Sequence, residues 1–202
     1  MSELFFNQKI HEYSISGVVY PSVTEILKAS GLSDFSKVDP VVLKRSSDFG
    51  TAVHSAIHYY CKGTLDENSV DPEIKPYLQA WDNFEKDYEY VCHKTEVRGF
   101  SERYRFAWTI DQKGVFEKEG FRTGLVLLDI KTGRPKPADR IQMGGYRIGA
   151  GKEYRYIVLL YLNPSIKPTG YKVELTTNNK KEQGIFLAAL SLYNFRKENN
   201  LL

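Results

Sequence analysis

The sequence predicts an α/β (α+β) domain with a central mixed β-sheet flanked by helices. Three observations lead there. Apolar residues recur at helical spacing through most of the first part of the chain, up to Tyr88. From Tyr90 the spacing drops to the two-residue period of strands and holds for three successive segments. Helix-type and strand-type segments then alternate to the end. The length, 202 residues, suits one domain, with a mainly helical part over 1–90 and a sheet core over 90–202. Hydrophobic residues at 42% and charged residues at 26% allow a packed core and exclude wholesale disorder.

The elements follow in order. His11 to Tyr20 reads as a hairpin, with strands His11–Ile15 and Val18–Tyr20 about a turn at Ser16-Gly17. Ser22 and Glu25 form a capping box that starts a helix, with Val23, Ile26 and Leu27 on one side and Gly31 at its end. A second helix runs from about Ser47 to Tyr60 on the apolar stripe Phe49, Val53, Ile57 and Tyr60. A third starts near Pro72 and carries Tyr77, Trp81, Phe84 and Tyr88 inward. Strands follow at Tyr90 to Phe100, Arg103 to Phe116 and Arg122 to Thr132, with a hairpin at Glu117–Gly120. A helix from Ala138 to Gly149, strands at Tyr154–Leu162 and Tyr171–Leu175, and a helix from Asn179 to Glu198 complete the chain. The inner stripe expected for the last helix is Ile185, Ala188, Ala189, Leu192 and Phe195.

Several function classes are excluded. The longest clean apolar run, Ile157–Leu162, is far short of the roughly 20 residues a bilayer span needs, and the N-terminus lacks the pattern of a signal peptide, so no membrane association is expected. Two cysteines, Cys61 and Cys92, cannot build a disulfide framework or a four-cysteine metal site; they read as buried thiols in a reducing compartment. Charge is unevenly spread. Residues 64–89 hold eight acids against two bases, and residues 131–155 hold seven bases against two acids. The basic stretch is a candidate surface for a polyanion, against the plainer reading of solvated helix faces.

The chemistry lies in Leu125-Val126-Leu127-Leu128-Asp129-Ile130-Lys131. On a strand, Leu125, Leu127, Asp129 and Lys131 share a face. An acid and a base at the end of an apolar strand are costly to desolvate. They fit a structural ion pair, an exposed strand end or a metal-plus-lysine site. Asp111 lies on the preceding strand, and one hairpin brings it beside Asp129. Two neighbouring carboxylates repel unless a divalent cation sits between them, and hard oxygen donors suit Mg²⁺ or Mn²⁺. The Ile130 carbonyl is a further oxygen. His54, on the second helix, is either a satisfied partly buried histidine or a nitrogen ligand that favours Mn²⁺. His58 follows at i+4, but no third ligand supports a zinc pair. Gln142 and Tyr146 share a helix face near Arg134 and Arg140, where they either hold a phosphate or strand end or form a polar rim.

Taken together, Phe49-Gly50-Thr51-Ala52-Val53-His54, Thr109-Ile110-Asp111, Leu128-Asp129-Ile130-Lys131-Thr132-Gly133 and Gln142-Met143-Gly144-Gly145-Tyr146 resemble the PD-(D/E)XK nuclease superfamily, and within it the RecB-like exonucleases. Tyr20 to Leu27 also looks like the start of small phage nucleases of that kind. The resemblance spans roughly residues 11 to 162 and implies one nuclease domain over 1–202 with a restriction-endonuclease-like core. It implies His54, Asp111, Asp129 and the Ile130 carbonyl as metal ligands for one or two Mg²⁺ or Mn²⁺ ions. Asp111 and Asp129 would be catalytic with Lys131, which activates the attacking water. Gln142, Tyr146, Arg134, Arg140 and Arg147 would contact DNA. Glu96 is at most an indirect participant. The cysteines that hold an iron-sulphur cluster in some relatives are missing, so no cluster is expected, and Trp108 stands where relatives often have glycine. The implied activity is a metal-dependent deoxyribonuclease, most simply an exonuclease of recombination, repair or phage DNA processing. The implied setting is the cytoplasm of a bacterial or phage-infected cell. Implied partners are duplex ends or single strands, with a recombinase, single-strand-binding protein or helicase. Alternatives are a structure- or sequence-specific endonuclease and a catalytically silent DNA-binding module.

Overall fold

The computed structural model describes residues 3–202. Its central feature is a five-stranded mixed sheet in which the strands lie side by side in chain order. The strands are β4 (Tyr90–Ser101), β5 (Phe106–Phe116), β6 (Leu125–Lys131), β7 (Tyr154–Leu162) and β8 (Tyr171–Thr176). β4, β5 and β6 form an antiparallel meander, β7 runs parallel to β6, and β8 returns antiparallel. The parallel pair needs a crossover, which is helix α4 (Pro137–Ala150). A separate three-stranded antiparallel sheet, β1 (Leu4–Asn7), β2 (Glu12–Ile15) and β3 (Val18–Tyr20), precedes helix α1 (Val23–Ala29). Helices α2 (Pro40–Cys61) and α3 (Lys75–Tyr88) lead into the main sheet, and α5 (Lys180–Glu198) ends the fold. The expected mixed sheet between helices is therefore present.

Both sheet faces are covered. Leu127, Ile157, Leu159 and Tyr161 pack on one side with α1, α4 and α5. Val126, Leu128, Ile130, Val158, Leu160 and Leu162 pack on the other with α2 and α3. This is why β6 and β7 read as unbroken apolar runs: a strand buried on both faces has no polar side to show. Among the described residues, no helix is long and apolar enough to cross a membrane.

Several elements depart from expectation. β1 joins the expected hairpin by pairing Leu4 with Ile15 through Asn7 with Glu12. Four residues carry too little alternation to announce a strand; the free edge of β2 supplies the partner. α2 begins seven residues before Ser47, because Asp39 caps it by accepting from Val41 N at 2.8 Å and Val42 N at 3.3 Å, with Pro40 at the first helical position. Helix α3 starts at Lys75 rather than Pro72, after a 3₁₀ turn at Glu67–Ser69. In α5 the buried stripe is Phe186, Ala189, Leu190 and Tyr193, while Leu192 and Phe195 are 39% and 56% exposed. That segment, Ile185-Phe186-Leu187-Ala188-Ala189-Leu190, is apolar nearly all round, so periodicity alone does not select a face. Packing selects it: a Cβ on Gly145 of α4 would lie 2.8 Å from the Phe186 ring, so the glycine makes room for that side chain.

Candidate active site

Asp111 and Asp129 reach one place because the β5–β6 register, which pairs Gln112 with Leu128, sets them opposite each other one position further on, where β5 also changes face. Phe106, Trp108 and Ile110 belong to the core beneath α4 and α5, whereas Phe116, of the same parity, belongs to the core beneath α2 and α3. Strict alternation would keep all four on one side. The switch falls at Asp111, where Glu96, opposite it in register, takes φ 51°. The β5–β6 ladder also stops one residue short, at Gln112 and Leu128. Freed from the ladder, the Asp111 carboxylate takes the role of a strand partner: its Oδ2 accepts from the Ile130 amide at 2.7 Å. The Ile130 contact seen at Asp111 is thus made by the N–H.

His54, from α2, closes on the same carboxylate, with Nδ1 3.4 Å from Asp111 Oδ1. Burial of the ring works to lower its pKa, but the Asp111 carboxylate outweighs that and holds His54 above its ordinary value. Burial of Asp111 works to raise its pKa, but the His54 charge and hydrogen bond, Lys131 and the Ile130 amide together hold it low.

Asp129 is 2% exposed. Lys131 Nζ lies 2.8 Å from its Oδ2, an ion pair to a buried carboxylate. Burial pushes the Asp129 carboxyl up to about 6; Lys131 pulls it down and Asp111 pushes it up. Burial works to lower the Lys131 ammonium's pKa, and the two carboxylates more than reverse this. From Lys131 a polar chain leads into α4. Nζ donates to Gln142 Oε1 at 2.9 Å, and Gln142 Nε2 donates to Tyr146 Oη at 2.5 Å. Burial, then Asp129 and Asp111, hold the Tyr146 hydroxyl well above the usual phenol range, so it stays protonated. Gly144 lets α4 lie close on α5, since a Cβ there would come 2.6 Å from the Glu182 carbonyl.

These six side chains line one cleft of about 840 Å³. Glu96 lines it as well and pairs with Arg98 at 3.3 Å. Trp108 is accommodated by glycines, since a Cβ on Gly99 or Gly149 would fall 2.5 and 2.4 Å from its ring. An adjoining hollow, sharing His54, Lys131 and Gln142, is lined by Arg134 together with Lys28 and Lys136. Arg140 and Arg147 are not brought to the cleft. Arg140 Nε donates to Glu174 Oε2 on β8 at 2.8 Å, lining a different cavity. Arg147 donates to the Gly151 and Lys152 carbonyls just beyond α4. Arg140 and Arg147, seven residues apart, share one side of α4, turned away from the side that carries Gln142 and Tyr146 to the cleft.

Sequence reasoning found His54 but missed the rest of its wall: Ser47, Thr51, Ser55 and Lys62 also line the cleft along α2, as does His58, whose Nδ1 lies 2.6 Å from Thr95 Oγ1. The signal was there: short hydroxyls and histidines, rather than lysine and glutamate, recur opposite the Val53–Ile57 stripe. It also missed the N-terminal sheet as a wall, with Phe6, His11 and Tyr13 facing the cleft. Tyr13 is buried, its hydroxyl 2.6 Å from Thr109 Oγ1. Among the described residues, no three His, Cys, Asp or Glu side chains are gathered closely enough to hold a metal ion.

No family model matches the sequence, and no curated protein resembles it. Two solved structures are similar in part. A candidate exonuclease from Eubacterium rectale aligns over 76% of this chain and 68% of its own, at 12% identity and TM-score 0.48. LHK-Exo, solved in complex with dAMP, aligns over 90% of this chain and 93% of its own, at 14% identity and TM-score 0.40.

Proposed function

We propose that the cleft hydrolyses DNA phosphodiester bonds with the help of a divalent cation, and that the protein is an exonuclease of the RecB-like branch of the PD-(D/E)XK superfamily. One observation carries this reading: two carboxylates, on adjacent strands, converge beside an ammonium group and an imidazole in a cleft open to solvent. Asp129 and Asp111 are two carboxylates close enough that Asp111 raises the pKa of Asp129, and such paired hard oxygen donors fit a divalent cation. Asp111, Asp129 and the Ile130 carbonyl would hold Mg²⁺ or Mn²⁺; His54, which is not gathered with both carboxylates here, would reach the ion only by giving up its pairing with Asp111. When bound, the ion lowers the pKa of a water and neutralises charge on the phosphate.

The protein's own groups do the rest. Lys131 orients the attacking water and stabilises the negative charge that grows on the phosphoryl oxygens. Gln142 and Tyr146 fix the Lys131 ammonium at the cleft floor by holding the far end of its hydrogen-bond chain. Arg134, in the hollow beyond Lys131, meets a flanking phosphate of the strand. The resemblance of its motifs supports assigning this activity to recombination, repair or phage DNA processing.

The deciding experiment compares linear duplex, single-stranded and covalently closed circular DNA with Mg²⁺, Mn²⁺ or EDTA, using Asp111→Asn as the inactive control. Metal-dependent shortening of linear DNA from its ends is expected. A ladder from closed circles would make the enzyme an endonuclease. DNA binding without cleavage under every metal condition would make it a silent module and end the proposal.

A further inference from the structure

Cys61 and Cys92 lie outside the chemistry described above, yet both pack on one apolar cluster beside Gln112. Cys61 ends α2, and Cys92 is the third residue of β4, at an open edge of the main sheet. Both are half-buried and pack on the same apolar cluster, beneath α2 and α3. Gln112 of β5 pins the first: its Nε2 donates to Cys61 Sγ at 3.3 Å. Cys92 pairs across the ladder with Gly114, two residues along from Gln112 and therefore on the same face. The ladder slips between Cys92 and Lys94, a bulge that loosens the edge strand at this point.

The surroundings are polar in an otherwise aromatic layer. Tyr90 Oη and Gln112 Oε1 are buried there without partners. The two thiols influence each other's ionisation, raising Cys61 and lowering Cys92.

We propose that Cys61 and Cys92 form an intramolecular disulfide in an oxidising glutathione buffer, stapling the end of α2 to the start of β4. The Cys92 thiolate attacks one sulfur of glutathione disulfide and expels a glutathione thiolate. Cys61, giving its proton to solvent, then attacks the Cys92 sulfur and expels the second glutathione. The protein loses two electrons and two protons, and one glutathione disulfide becomes two glutathione molecules. The bond would tie together positions 31 apart in the chain and enclose α3. It would also fix the helix that bears His54 against the sheet that bears Asp111.

The test uses the whole chain, equilibrated with glutathione buffers from fully reduced to fully oxidised. The expected oxidised form is a monomer two hydrogens lighter, with a Cys61–Cys92 cross-linked peptide. Its Tm should rise by about 9 °C over the reduced form, from closure of a loop of this length. Cys61→Ser and Cys92→Ser should each lose that rise. Wild type kept reduced in excess dithiothreitol, with unmodified thiols, serves as the folded reference should either variant fold poorly. Two free thiols at the most oxidising ratio would overturn the proposal. So would glutathione adducts or cross-linked dimers alone, or a disulfide that leaves Tm unchanged.

Discussion

Asp129→Asn separates a site built for a cation from an ion pair built for stability. The change keeps the side-chain volume and removes the charge. The Asp129 carboxyl, 2% exposed, is pushed by burial to about 6 against an ordinary 3.8. Between those values the folded protein binds more protons than the unfolded chain, so stability falls as pH rises from about 4 to about 6 and stays reduced above. Two pKa units at about 1.4 kcal/mol each give an upper limit near 3 kcal/mol for that penalty. Asparagine removes it, while Lys131 loses the carboxylate at 2.8 Å and keeps Gln142 at 2.9 Å. The net expectation without divalent ions at pH 8 is a variant between equal to wild type and about 2 kcal/mol more stable. Urea unfolding at pH 5 and pH 8 reads this directly, and the variant should gain on wild type as pH rises. With Mn²⁺ at a hundred times its Kd, wild type should gain about 3 kcal/mol and the variant close to nothing. A variant destabilised by about 3 kcal/mol or more at pH 8 without metal would refute the reasoning, because Asp129 would then be holding the fold through Lys131.

Other outcomes follow from the same geometry. Lys131→Ala should lower kcat by roughly 100-fold or more with little change in DNA affinity, read from single-turnover rates and binding titrations; an unchanged rate removes Lys131 from the chemistry. Arg134→Ala should reduce the salt slope of DNA binding by about one unit, whereas Arg140→Ala, whose guanidinium is engaged by Glu174, should leave it alone. Gly144→Ala should cost roughly 1–3 kcal/mol in thermal melts, because the new Cβ would meet the Glu182 carbonyl at 2.6 Å. Its kcat should fall too, since α4 carries Gln142 and Tyr146.

Much of this was legible in the residues. The capping box at Ser22 and Glu25 forms as written, with Glu25 N donating to Ser22 Oγ at 3.0 Å. β7 has the expected bounds, and β6 places Asp129 and Lys131 at one rim. His54, Asp111, Gln142 and Tyr146 share a cleft with them. The cap and the strand bounds are matters of local period and short-range chemistry, which neighbouring residues decide by themselves, whereas the meeting of His54, Gln142 and Tyr146 with the carboxylates was implied only by the family resemblance of their motifs. Only the tertiary structure decided the rest. The turn of β5 at Asp111, the burial that lifts Asp129 to about 6, and the choice of face in α5 depend on what lies across the sheet. So does the separation of Arg140 and Arg147 from the cleft, where Glu174 and the Gly151 and Lys152 carbonyls hold them. The reason is physical. Local sequence sets which dihedrals and side chains a segment favours, whereas desolvation and close packing exist only once distant segments exclude water from one another.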